Sequence, residues 1–332
     1  MEIKEAILKE EMDKVKSFLD FFNLDYSKEH LDKTFYIEDN SKVIGTISHE
    51  GSIIKCLAVS ESYQGENLSS MLISHIISYL SSINIHSYTV YTKPEYEETF
   101  KSFGFKRIVG TNNTILLEGG AESINDSIKG IKVQIEMDYG SINEDSNIGA
   151  LVFNANPFTT GHEMLIEEAS SNHDLVLLFI VEEDKSFFSF KERFSMAYLS
   201  TRRFKNVIVI PSTRYIVSLL TFPSYFLKSD DLVTKEYALI DALIFKDYFM
   251  KNLYIKKRYV GSESKDYMNI YNETLKEVLG DSLVLIDRYK DDDGDIISAS
   301  KVRELIKEKR VLEAYKYVPK EIDFIILGKS YE

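Results

Sequence analysis

The sequence has one cysteine, no tryptophan and five prolines in 332 residues. A single cysteine excludes an internal disulfide and any multi-cysteine metal cluster, and it fits a reducing compartment. Cys56 stands in the apolar run Ile53 to Val59, which reads as a buried structural thiol rather than a nucleophile. Basic residues are the minority. Forty Lys and Arg face 53 Asp and Glu, a formal net charge of −13, which argues against a protein that coats nucleic acid and leaves room only for a local basic pocket. No apolar run reaches the ~20 residues that a membrane-spanning helix needs. The opening Met1-Glu-Ile-Lys-Glu5 lacks a basic segment followed by an apolar core, so no signal peptide is expected and the expected location is the cytoplasm. Internal repeats, low-complexity tracts and a G-x-x-x-x-G-K-[ST] phosphate loop are also missing.

What is present is enough chain for two domains with full cores, at 44% hydrophobic and 28% charged content,. The most informative stretch is Asn147 to Ser170. Ile148 to Phe153 is short and apolar like a strand, Asn154 to Thr160 is rich in turn formers, and from Gly161 onward Met164, Leu165 and Ala169 fall at helical spacing,. A loop that feeds a helix N-terminus presents unpaired N–H groups and the positive end of the helix dipole, which suits it to phosphate. Gly161 allows close backbone approach, and His162 falls in the first turn with its imidazole toward a bound anion. The alternative is an ordinary strand–helix unit with a histidine at its helix start.

A second stretch, Gly294 to Arg303, puts Ser298, Ser300 and Arg303 at the opening of another amphipathic helix, Lys301 to Lys309. Ser298 suits an N-cap, and Ser300 with Arg303 would add a hydroxyl and a guanidinium to the same phosphates. Taken alone it is also what a plain capped helix looks like.

Together Thr159-Thr160-Gly161-His162 and Ile297-Ser298-Ala299-Ser300-Lys301-Val302-Arg303 resemble the nucleotidyltransferase superfamily that carries T-x-G-H or H-x-G-H after its first strand and I-S-x-x-x-x-R near its end. Within it, Asn154-Ala-Asn-Pro-Phe-Thr159 and Thr221-Phe-Pro-Ser-Tyr-Phe-Leu-Lys228 are similar to the citrate lyase ligase family, as is an extra domain in front.

That front domain reads as residues 1 to 118, with strands at Glu2 to Leu8, Thr34 to Glu38, Val43 to His49 and Ile53 to Val59, then a long amphipathic helix through Leu68 and Leu80, and further strands at Ser87 to Tyr91, Phe105 to Val109 and Asn113 to Leu117,. The order resembles the GNAT acyltransferase fold, whose strand-to-helix loop holds the pyrophosphate of acetyl-CoA. Here that loop is Gln64-Gly65-Glu66-Asn67-Leu68-Ser69. Asn67 stands where glycine is usual and Glu66 adds a like charge, so binding of a CoA-type group and a structural or docking role both stay open. His49, His75 and His86 are scattered and offer no acid–base pair for acetyl transfer. Gly119 to Ser146 reads as a linker around one strand-like segment, Ile131 to Met137. Residues 147 to 332 alternate strands and helices, which implies a Rossmann-like domain with a parallel sheet and ligands at the strand C-terminal ends. The expected fold class is therefore α/β: a GNAT-like domain followed by a nucleotidyltransferase domain.

The resemblance implies transfer of AMP from ATP to acetate and then of the acetyl group to the thiol on the CoA-derived prosthetic group of the citrate lyase acyl carrier subunit. It implies His162, Thr159 and Arg303 as the catalytic residues, with His162 and Thr159 at the α- and β-phosphates, Ser298, Ser300 and Arg303 at the β and γ, and Asn154, Asn156, Phe158 and Gly161 of the same loop also binding ATP. Arg193 is either a phosphate contact or structural, and Lys185 or Lys191 is a further candidate. Glu263 either touches adenosine or is a surface carboxylate. Phe222, Pro223 and Tyr225 form either an acetate or partner loop or a satellite hydrophobic cluster. Mg²⁺ is expected as the ATP counter-ion, held by phosphate oxygens and water, with no protein metal site; Asp291 to Asp295 reads as a solvated turn. No nucleic-acid or membrane partner is expected. Two rivals are a nucleotidyltransferase acting on a pantetheine or nicotinamide phosphate, and a non-catalytic CoA-binding module.

Overall fold

The computed structural model describes the chain except residues 25–29, 64, 183–185, 217–221, 228, 263–265, 288, 290–293, 295 and 332, and the side chains of 266–268. Expectations placed on Gln64, Lys185, Glu263 and most of Asp291 to Asp295 therefore lie outside the described residues. The described chain divides into two compact units, Met1–Ile124 with Phe222–Glu236, and Asn125–Thr221 with Tyr237–Glu332.

In the first unit, strands β1 (Ile3–Glu5), β2 (Lys33–Asp39), β3 (Lys42–Glu50), β4 (Ile53–Val59), β5 (Ser87–Thr92), β6 (Lys106–Gly110) and β7 (Ile115–Gly120) form one sheet in the order β1-β2-β3-β4-β5-β7-β6. Helices α1 (Lys9–Phe21), α2 (Leu68–Ser82) and α3 (Glu97–Lys101) accompany it. Leu68, Leu72, Ile76 and Leu80 recur every four residues along α2, so one face of the helix meets Phe35, Ile47, Ile54 and Val90 of the sheet,. Neighbouring strands are antiparallel except β4 and β5, which run parallel and pair at Ile53 with Thr89 and Ile54 with Val90. Cys56 is buried, as expected, at a register shift in β4, where its carbonyl accepts from Thr46 Oγ1 at 2.9 Å,.

The stretch read as a strand at Ile131 to Met137 is helical: α4 spans Ile124–Asp138. The β-branched Ile and Val there favour strands when seen in a short window. Over the longer window Ile124, Ile128, Ile131 and Ile135 follow the helical period, and all four are buried,.

In the second unit, β8 (Ile148–Phe153), β9 (Leu175–Ile180), β10 (Val207–Pro211), β11 (Ile255–Gly261) and β12 (Leu283–Ile286) make a wholly parallel sheet in the order β10-β9-β8-β11-β12. The helices are α5 (Thr160–Asn172), α6 (Phe190–Thr201), α7 (Asp230–Ile244), which belongs to this unit from Tyr237 onward and runs through a π-type stretch Phe245–Met250 into α8 (Lys251–Leu253), α9 (Asp266–Leu279), α10 (Ala299–Lys307), α11 (Val311–Ala314) and α12 (Asp323–Lys329). Every residue of β9 is buried, which is why it reads as an unbroken apolar run. Strand order reverses at β8, so the loop that leaves its C-terminal end lies at the topological switch point, where parallel sheets leave a crevice. Among the described residues no helix is long and apolar enough to cross a membrane.

Candidate active site

From β8 the chain passes through Asn154, Ala155 in the left-handed region (φ 51°), a cis Asn156–Pro157 bond, buried Phe158 and buried Thr159 into α5. Thr159 is the N-cap, and its Oγ1 accepts from the His162 N–H at 3.4 Å. In return His162 Nδ1 accepts from the Thr159 N–H at 3.0 Å, and lies 2.8 Å from Thr159 Oγ1. This is a capping box in which histidine replaces the usual glutamate. Because Nδ1 is an acceptor, the neutral ring carries its proton on Nε2 and is a donor there. Phe153 and Phe158 flank the imidazole at 4.6 and 5.4 Å between ring centroids and hold its plane. Gly161 sits inside the helix with room to spare: a Cβ there would meet Ile297 at 3.5 Å, an ordinary contact.

The start of α10 comes to the same place. Ser298 caps it, accepting from the Lys301 N–H at 3.2 Å. Arg303, one turn on, donates through Nη2 to Ser300 Oγ at 3.1 Å and through Nη1 to the Asn156 carbonyl. Thus two helix N-termini, a histidine donor and a guanidinium converge on one loop. Burial lowers the pKa of Arg303 from the usual arginine value, opposed by Glu304. A cation shielded from water in this way holds an anion more strongly than an exposed one would.

The loop after β9 closes the group from the other side. Asn156 Oδ1 accepts from the Phe188 N–H at 3.0 Å, and Ser186 Oγ donates to Asn154 Oδ1 at 3.3 Å. Arg193, fully buried in α6, donates to the carbonyls of Phe188 at 3.1 Å, Asn154 at 2.8 Å and Val181 at 2.7 Å. Of its two readings, this geometry favours the structural one: the guanidinium ties two loops together. Asn154 and Asn156, expected as ATP-binding residues, each use a side-chain oxygen to hold the loop after β9, and the turn-forming Asn-Ala-Asn-Pro string is the trace of this in the sequence,.

Phe222, Pro223 and Tyr225 belong to the first unit. Phe222 packs edge-on against Tyr91 at 5.4 Å, and Tyr225 with Phe226 lines a cavity of about 430 Å³ beside β4, β5 and the start of α2. Asn67, at that start, has φ 57°. It takes the left-handed conformation, which asparagine tolerates better than most residues,.

A model described as the citrate lyase ligase C-terminal domain matches residues 148–324, and three proteins named [Citrate [pro-3S]-lyase] ligase are similar over most of their length. That of Haemophilus influenzae is 35% identical over 292 residues, 85% of this chain and 84% of the relative. Those of Klebsiella pneumoniae and Escherichia coli K12 are each 31% identical, covering 85% and 84% of this chain and 83% and 80% of the relatives. The chain belongs to the citrate lyase ligase family. Its front part matches a model described as the acetyltransferase (GNAT) domain over residues 7–114, which agrees with the mixed sheet and α2 of the first unit. In this family member the matched C-terminal domain contains both helix starts and the Arg193 tie.

Proposed function

We propose that this chain acetylates citrate lyase, joining acetate to the thiol of the CoA-derived prosthetic group on the lyase's acyl carrier subunit with ATP as the energy source. The observation that carries the reading is the meeting of the α5 and α10 starts at Asn156, with His162 and Arg303 in the same loop group. Such a site can do little covalent chemistry. It can neutralise and align a triphosphate, which is what adenylation asks of a protein.

In the first step a carboxylate oxygen of acetate attacks the α-phosphorus of ATP, the bond to the β-phosphate oxygen breaks, and pyrophosphate leaves acetyl-adenylate behind. In the second the thiol sulfur attacks the acetyl carbonyl, AMP leaves with the C–O electron pair, and the thiol proton passes to water. His162 Nε2–H and Thr159 serve the α- and β-phosphates; Ser298, Ser300 and Arg303 serve the β and γ as pyrophosphate departs. Asn154, Asn156, Phe158 and Gly161 shape the loop, and Arg193 acts as a positioning residue. Glu263, two residues after β11 in the sequence, is assigned to the adenosine side. Mg²⁺ enters as the counter-ion of the nucleotide, held by phosphate oxygens and water. In this reading residues 147 to 332 adenylate, residues 1 to 118 receive the prosthetic arm or its carrier, and 119 to 146 join them.

The test is exchange of labelled pyrophosphate into ATP. Wild type should exchange only when acetate is present, and His162→Ala should lose about 10²- to 10³-fold, the usual cost of one transition-state donor. Exchange that fails with short acids but appears with a phosphorylated acceptor would replace the ligase reading with a small-molecule nucleotidyltransferase.

A further inference from the structure

The cavity of the first unit opens where β4 and β5, paired at Ile53–Thr89 and Ile54–Val90, run on beyond that pairing. On one side stand Asn67 to Ser70 at the start of α2, where no side chain caps the helix. Half-exposed Lys93 lines the cavity too, as does exposed Glu61. Lys55, also a lining residue, is buried and paired with Glu50 at 2.6 Å. The backbone donors at the start of α2, the Lys93 cation and the apolar Ile54, Val59 and Phe100 all line the cavity, a mixture that suits a slender chain with an apolar stem and an anionic end,.

One part of the wall comes from far away in the sequence. Tyr225 and Phe226 are both buried and packed edge-on to each other at 5.1 Å. The acetyltransferase-type match ends at residue 114, so these rings are an addition to it. They are also held firmly. Phe222 packs on Tyr91 before them, and beyond them the buried Glu236 carboxylate accepts from Thr111 Oγ1 at 2.5 Å and from Asn113 Nδ2 at 2.9 Å. Contacts on either side of the two rings thus fasten them to the first unit.

We propose that Tyr225 and Phe226 are specificity-determining residues of this cavity: they set its cross-section so that a pantetheine-type thiol arm enters and one made bulky at sulfur does not. The inference rests on the reading that the first unit receives the prosthetic arm. In the full chain, dissociation constants are measured for dephospho-CoA and for its S-benzoyl thioester, a larger probe. Wild type should bind the free thiol at least tenfold more tightly than the thioester. Phe226→Ala should bring the ratio close to one, and Phe226→Leu should lower it in part. Ala58→Leu, which adds bulk from β4, should raise it instead. Thermal melting of each variant separates lost selectivity from lost folding. If wild type binds both probes equally, or if the ratio is the same in Phe226→Leu and Ala58→Leu as in wild type, the wall has no selective role, and the arm reading stands without it. If wild type binds neither probe, the arm reading fails and this inference with it.

Discussion

Gly161 is a glycine that the protein around it does not require. It lies inside α5, not in a left-handed turn, and an added methyl would make only ordinary contacts with Ile297 and Thr159. The need for it, in the proposed mechanism, comes from a phosphate approaching the backbone. Gly161→Ala is therefore expected to leave folding intact or stabilise it by about 0.4–1 kcal/mol through a less flexible unfolded chain, while pyrophosphate exchange falls and the KM for ATP rises. Denaturant titration beside the exchange assay separates the two, and full exchange in the alanine variant would remove close backbone approach from the mechanism. His162 was legible from its position after a turn-rich loop. What the ring does was not, because the Thr159 N–H that selects its tautomer is a backbone group that no residue pattern reveals.

At the scale of elements, the site is three loops held by a few polar ties. Arg193 meets the ends of β8 and β9 and the start of α6 by donating to three carbonyls. Replacing it with methionine removes the donor from the Phe188 and Val181 carbonyls, at about 1–3 kcal/mol each, and from the part-buried Asn154 carbonyl at less,. Arg193→Met is expected to lower the unfolding midpoint and to raise the KM for ATP as the loops spread. Arg193→Lys should recover part of both, since one ammonium cannot serve three carbonyls in a fan. A variant that melts early yet keeps its KM would limit Arg193 to stability. Other junctions depend on shape. His173 sits under β8, Nδ1 2.8 Å from Asn147 Oδ1 and Nε2 3.0 Å from the Tyr259 hydroxyl, and a Cβ on Gly149 would come within 2.5 Å of its ring. The helix α4 shows the limit of local patterns, since its isoleucines satisfy a strand preference over seven residues and a helical period over twelve.

Over the whole molecule the chain order and the compact units do not coincide. Phe222–Glu236 groups with Met1–Ile124 although nearly a hundred residues separate the two stretches. A fragment of residues 1–124 lacks the ring that covers Tyr91, the two aromatics of the cavity wall and the carboxylate that receives Thr111 and Asn113. We expect such a fragment to melt at least about 4 °C lower than the same fragment carrying 222–236 on a flexible tether, the shift that ~1 kcal/mol makes in a domain near this size. Equal melting temperatures would mean that the segment is passive packing. A buried ion pair works at the same scale in the second unit, where Arg258 of β11 donates to Asp241 of α7 at 2.8 Å, with the Tyr271 hydroxyl on the same carboxylate oxygen.

By itself the sequence determined the α/β class, most of the strand sequence along the chain, the two helix starts at Thr159 and Ser298 and the family to look for. Those features are local or periodic: an apolar run, a cap, a turn-rich loop and a motif each lie within some twenty consecutive residues. Only the tertiary structure decided that Arg303 reaches the Asn156 carbonyl, that Arg193 ties two loops, and that Tyr225 and Phe226 line a cavity in the front unit. Each of those is a meeting of residues distant in sequence, set by sheet order and side-chain burial, and neither spacing nor composition encodes which partner a buried polar group or an aromatic ring will find.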